Sequence, residues 1–219
     1  MTYSLQFTER MTGAFAFAEA DYRAGYETGQ KTGNRLLFRL TIAADDVDSF
    51  LADPEHRAVA SGYVASEPLG GRRPVQQGAF DLFVDEGPAT RHMLYRLYFA
   101  DATGRPLTLA GFKDVRPGPL TAVWPETSTL YFRILSGHVP VADGGSGTTE
   151  GLVGSGILLI PPADFAWQLT TFRVRGPTWG GRVRALDAFG QLFLSELWAV
   201  FNPMRQVLHR QDRRGGHDG

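Results

Sequence analysis

Two residues of this chain combine a chemically useful type with a telling position. Glu9 lies in the stretch Leu5-Gln6-Phe7-Thr8-Glu9-Arg10-Met11, in phase with Phe7 and Met11. Alternation puts every second residue of a strand on one face, so Glu9 is expected on an apolar face. Lys113 follows Gly111-Phe112 at the end of a second strand-like stretch. A carboxylate and an ammonium inside an apolar interior change their proton affinity and suit acid–base work or the polarisation of a carbonyl. The competing expectation is that both point outward or form a structural ion pair. Tyr95 completes the expected catalytic set, and Tyr95 and Tyr131 offer phenol donors to one ligand. Phe15, Phe112, Trp124, Thr127 and Tyr131 are expected to line the substrate-binding wall, with plain core packing as the alternative for the aromatic residues.

The remaining chemistry-bearing residues form no familiar constellation. Gly151-Leu152-Val153-Gly154-Ser155-Gly156 has glycines but enters a strand rather than opening a helix, so a dinucleotide site is not expected. His56, His92, His138, His209 and His217 are scattered, with no pair at metal-binding spacing. Asp45, Asp46 and Asp48 read as a helix cap with solvated neighbours. No metal and no cofactor are expected. The absence of cysteine removes disulfides and thiolate catalysis.

The elements that must position these groups are mostly strands. Leu5–Glu9, Met11–Phe17, Arg35–Ile42, Ala58–Ala65, Gly78–Val84, His92–Ala100, Pro106–Lys113, Thr127–Ser136 and Gly154–Ile160 alternate or are bounded by turn residues. Leu169–Arg175 is expected as a last strand. In His92–Ala100, one face carries Met93, Tyr95, Leu97 and Phe99. Asp101-Ala102-Thr103-Gly104 reads as a hairpin turn. Gly25, Gly29 and Gly33 recur every four residues between Asp21 and Gly33, which is read as a loop or a weak helix with a close-packing stripe. Asp45 or Asp46 should cap a short helix through Leu51. Asp143–Gly147 reads as a flexible tip. Val183, Leu186, Phe189, Leu192, Phe193, Leu197, Val200 and Phe201 recur at three and four residues, predicting one long helix over about 181–201 that packs on the sheet or plugs a barrel mouth.

A repeated pattern runs through the chain. Leu36-Leu37-Phe38-Arg39-Leu40 is echoed by Leu130-Tyr131-Phe132-Arg133-Ile134. The expected fold is therefore all-β: a lipocalin-like barrel or sandwich with two similar halves, one long C-terminal helix and short helices. A single domain over 1–203 is expected, followed by a flexible basic tail over 204–219.

With 219 residues and 43% hydrophobic composition, the chain can bury a large core. Its 15 Phe, 7 Tyr and 4 Trp leave aromatic surface to line a cavity. A net charge of −1 gives no electrostatic case for nucleic acid or for an anionic membrane. No run of about 18 apolar residues predicts a membrane span, and the opening residues carry no secretory pattern. A cytoplasmic address follows as the simplest expectation.

Phe7-Thr8-Glu9-Arg10-Met11-Thr12-Gly13, Gly111-Phe112-Lys113, Trp124 with Thr127-Ser128-Thr129-Leu130-Tyr131, and Gly154-Ser155-Gly156-Ile157-Leu158 leading to Ala163-Asp164-Phe165 occur in that order. Together they resemble the accessory region of bacterial cholesterol-oxidase-like (glucose–methanol–choline type) multidomain proteins, over residues 5 to about 200. The flavin domain of those proteins has no counterpart here, so the resemblance implies bulky apolar ligands rather than redox chemistry. The expected function is binding of a polyketide, sterol or lipid-like molecule in a barrel cavity, with cofactor-free cyclisation or isomerisation. The alternatives are a non-catalytic binding or accessory module beside a separate oxidoreductase, and a purely structural interaction scaffold whose filled barrel holds no cavity. A homodimer through the C-terminal helix is the expected protein partner.

Overall fold

Alternation of inward and outward side chains along each strand builds the wall of this protein. In the computed structural model, residues 2–85, 91–115, 128–140 and 147–201 are described. Ten strands are present among them: β1 Ser4–Phe17, β2 Arg35–Ala44, β3 Arg57–Ser66, β4 Gly71–Pro74, β5 Gln77–Asp85, β6 Arg91–Ala100, β7 Pro106–Val115, β8 Thr129–Ser136, β9 Leu152–Leu159 and β10 Arg173–Arg175. Four helices accompany them: α1 Tyr22–Thr32, α2 Val47–Ala52, α3 Pro162–Thr170 and α4 Trp179–Phe201.

Eight strands pair antiparallel in the order β1-β2-β3-β5-β6-β7-β8-β9, and β9 returns to β1 to close a barrel. Closure removes the unpaired edges that an open sheet would leave. The short strands β4 and β10 pair outside this ring, on β3 and β1. The first strand is unbroken through Ser4–Phe17, where the sequence suggested two stretches.

The interior is filled by side chains. Phe15, Phe38, Tyr95, Phe99, Phe132, Met11, Leu97 and Leu109 are all under 2% exposed. Each comes from the inward-facing register of its strand, so the core is the common inner face of the ring.

Both arginines of the repeated pattern point outward and hold helices against the wall. The Arg39 guanidinium lies 5.1 Å from the Trp167 ring of α3, and that of Arg133 lies 4.8 Å from the Tyr22 ring of α1. Arg133 also donates to the Thr148 carbonyl at 2.8 Å and to that of Ala20 at 3.3 Å.

The glycine-spaced segment is a full helix. Asp21 caps it, its carboxylate accepting from the Ala24 N–H at 2.8 Å. Gly33 ends it at φ 78°, a left-handed conformation that favours glycine. Gly25 and Gly29 lie flat on the barrel wall, where a Cβ would sit 2.2 Å from the Ser155 carbonyl oxygen and 2.3 Å from that of Phe15.

The region after β9 differs from expectation. Leu169 and Thr170 belong to α3, and only Arg173–Arg175 forms a strand. Proline at the start of α3 suits a helical first turn, where no N–H is needed. The long helix spans Trp179–Phe201, close to its predicted bounds. Its apolar stripe divides: Ala185 and Phe189 are buried, whereas Val183 and Leu186 are 46% and 47% exposed. Most of the Asp143–Gly147 tip and the basic tail lie outside the described residues.

Candidate functional site

Closing the ring places β1 opposite β6, with three strands between them on either side. Glu9 on β1 and Tyr95 on β6 therefore point at each other across the interior. Lys113 enters from β7, next to β6. The Tyr95 hydroxyl donates to Glu9 Oε2 at 2.7 Å, and Lys113 Nζ donates to Glu9 Oε1 at 2.5 Å. Nζ also lies 5.2 Å from the centre of the Tyr95 ring, within cation–π range. All three residues are 2% exposed. A hydrogen-bonded bar of three polar side chains thus crosses the apolar interior of the barrel.

Apolar rings enclose this bar. Phe38 stacks on Tyr95 at 5.8 Å, and Phe80 meets it edge-on at 4.9 Å. Burial, then the charge of Glu9, then the hydrogen bond to Glu9 push the Tyr95 phenol well above its ordinary value of 10.0. The phenol therefore stays a neutral donor at any physiological pH. In the unfolded chain a tyrosine ionises near pH 10, while in the fold Tyr95 keeps its proton to a higher pH. Its contribution to stability is fully present below about pH 10 and is lost as pH rises beyond it. Urea unfolding between about pH 9 and 11.5 should fall more steeply for the wild type than for Tyr95→Phe. Parallel slopes would mean that the phenol titrates normally.

The wall beside Glu9 has a seam. The first strand pairs with β9 only from Thr12 to Phe17 and with β10 only from Ser4 to Gln6. Residues 7–11 have a strand partner on the β2 side alone. The C-terminal end of α3 fills the gap: Thr171 Oγ1 accepts from the Thr8 N–H at 2.8 Å, and its own proton lies between the Gln168 carbonyl at 2.7 Å and the Thr8 carbonyl at 3.3 Å. Arg10 and Asp164 form an ion pair at 3.6 Å across the same boundary. One side-chain hydroxyl thus satisfies backbone that a ninth strand would otherwise pair.

The end of the barrel where β1 begins and β2 finishes is capped by α2 and α4. Phe189 reaches down from α4 toward Phe50 (6.2 Å) and Phe172 (5.7 Å), and Phe172 stacks on Phe7 at 4.8 Å. Beneath this cap is a cavity of about 10 Å³ lined by Leu5, Phe7, Ile42, Ala44, Phe50, Ala58, Phe80 and Phe189. Phe80, which forms part of its lining, also touches Tyr95. A single ring therefore separates the cavity from the buried bar.

The expected site residues divide between two faces. Glu9, Tyr95 and Lys113 meet inside, and Phe15 is buried in the same interior, 6.4 Å from Phe132. Phe112 and Tyr131 do not share it. Their neighbours Gly111, Lys113, Leu130 and Phe132 take the inward register. Phe112 and Tyr131 pack outside against each other (5.6 Å) and against Tyr22 of α1 (5.7 and 5.8 Å). A shared ligand for Tyr95 and Tyr131 is thereby ruled out by strand parity. Trp124 and Thr127 lie outside the described residues.

Sequence reasoning missed three contributors. Phe80 and Phe189 were visible only as members of apolar patterns, and Thr171 carried no signal at all. Among the described residues, no group of three or more His, Asp and Glu side chains is arranged to hold a metal ion. Comparison with known protein families, with characterised proteins and with solved structures returns no match.

Proposed function

We propose that this barrel binds a bulky apolar molecule of polyketide, sterol or lipid type and promotes its cofactor-free isomerisation or cyclisation. The observation that carries the reading is the buried Glu9–Lys113–Tyr95 bar. Apolar residues of similar volume would fill the core at no loss of stability, so three ionisable groups there call for another reason. In the proposed chemistry a carbonyl oxygen takes over the hydrogen bonds of Lys113 and Tyr95. Glu9, relieved of both donors, accepts a proton from carbon next to that carbonyl and returns it elsewhere on the same molecule. Atoms and charge balance without an added reagent. The ligand enters from the capped end, where displacing Phe189 and then Phe80 enlarges the small cavity toward Tyr95.

The test uses a β,γ-unsaturated 3-ketosteroid, whose conversion to the conjugated enone is read by ultraviolet absorbance. Wild-type protein is expected to convert it, and Glu9→Gln to lose about 10²–10⁴-fold in rate, the usual worth of a positioned base. Phe189→Ala is expected to bind the steroid more tightly while losing about 3 kcal/mol of stability to the space left behind. Conversion that persists in Glu9→Gln would remove the assigned role.

The filled interior supports the reading of a structural scaffold, and the closely satisfied bar supports a second ligand reading. In it the protein holds or presents an apolar ligand without changing it, as an accessory module beside an oxidoreductase. The block resemblance to cholesterol-oxidase-like proteins supports that version. Steroid binding without conversion would assign it.

A further inference from the structure

The face of α4 turned away from the barrel carries an unusual pairing of apolar and cationic groups. Trp179, Val183 and Leu186 follow one another at helical spacing and are 74%, 46% and 47% exposed. With Phe172, Val174 and Arg182 they line a shallow groove of about 260 Å³. Arg182 is part of that lining, and Arg173, Arg175 and Arg184, next to lining residues in sequence, are exposed. Between residues 172 and 187 these four face a single carboxylate, Asp187. None of the four forms an ion pair among the described residues. The charge of this stretch of sequence is therefore positive against the chain's net −1, while Asp45, Asp46 and Asp48 lie on or next to α2, the helix beside α4.

We propose that the Trp179–Val183–Leu186 face, with Arg173, Arg175, Arg182 and Arg184, docks on an anionic lipid surface. Trp179 sits where an amphipathic ring would enter the headgroup boundary. Val183 and Leu186 add shallow apolar insertion, and the arginines supply attraction to negative headgroups. The same charges argue against a second copy as occupant. A twofold dimer through this face would bring four arginines against four more. The sequence beyond α4 continues this sign, with Arg205, Arg210, Arg213 and Arg214 against Asp212 and Asp218.

The experiment is co-sedimentation of the full chain with vesicles of phosphatidylcholine alone, or with about 30 mol% phosphatidylglycerol. Binding to the anionic vesicles is expected to be at least about tenfold tighter and to weaken as salt rises from about 100 to 500 mM. Trp179→Ser/Val183→Ser/Leu186→Ser should abolish it with an unchanged melting temperature, since all three positions are exposed. Arg173→Gln/Arg175→Gln/Arg182→Gln/Arg184→Gln should weaken it by roughly fivefold per charge removed. Both variants keep the C-terminal basic residues, so undiminished binding in either would place the contact elsewhere and overturn the proposal. Absence of binding, or equal binding to neutral vesicles, would also overturn it. So would a dimer in solution that Trp179→Ser dissociates, because the face would then be a self-interface.

Discussion

Lys113→Met is expected to lower the stability of this protein by about 3–5 kcal/mol, the cost of leaving a buried charge without its partner. The Glu9 carboxylate would keep the Tyr95 hydroxyl at 2.7 Å but lose the ammonium at 2.5 Å, in a core where water cannot replace it. Glu9→Leu should be equally harmful, because it strands the ammonium and leaves the phenol without its acceptor. The informative comparison is Glu9→Leu/Lys113→Met/Tyr95→Phe. An apolar core of similar volume should recover most of the loss and bring stability within about 1–2 kcal/mol of the wild type. Urea unfolding followed by both circular dichroism and fluorescence measures all three. A triple variant as unstable as the single ones would show that the bar contributes stability or core specificity in its own right. That result would weaken the case for chemistry, because the cost of burying three ionisable groups would already be offset within the fold. A stable triple variant that no longer acts on the steroid would strengthen it.

Gly25→Ala and Gly29→Ala are expected to destabilise the protein, although the same exchange in an isolated helix stabilises it by about 1 kcal/mol. Each new Cβ would meet backbone, 2.2 Å from the Ser155 oxygen and 2.3 Å from the Phe15 oxygen, so no side chain can swing aside. Relief requires lifting α1 from the wall, which also pulls Tyr22 away from Arg133, Phe112 and Tyr131. Overpacking of this kind costs about 1–3 kcal/mol beyond the propensity gain. For a chain of this size that corresponds to a melting temperature lower by roughly 2–10 °C. Glu27→Ala, on the exposed side of the same helix, is the control and should change stability by less than about 0.5 kcal/mol. A gain in either glycine variant would mean that α1 is not seated on the barrel.

The sequence by itself determined which side chains share a face. Glu9 in phase with Phe7 and Met11, and Tyr95 in phase with Met93, Leu97 and Phe99, needed only the two-residue period of a strand. The same period left open whether Arg39 and Arg133 face in or out, and the closed barrel sets both against outer helices. A cap at Asp45 or Asp46, which the structure gives to Asp46, and the long C-terminal helix were likewise legible, because caps and helical stripes involve residues a few positions apart. Parity could also have separated Phe112 from Lys113, and Tyr131 from Phe132; the repeated apolar character of both neighbours hid it.

Only the tertiary structure decided what these faces meet. The contacts that make the site join residues 86 and 104 positions apart, between Tyr95 and Glu9 and between Lys113 and Glu9. They arise from the choice of strand partners and from barrel closure, which put β1 opposite β6. Nothing in the local pattern around Glu9 encodes that choice. The glycine stripe of α1 was similar: its spacing announced a flat helical face, but the wall it lies against had to be built first. The split of the α4 stripe into a buried Phe189 and an exposed Trp179, Val183 and Leu186 has the same cause, since a helix laid across a barrel mouth can bury only the side that faces it.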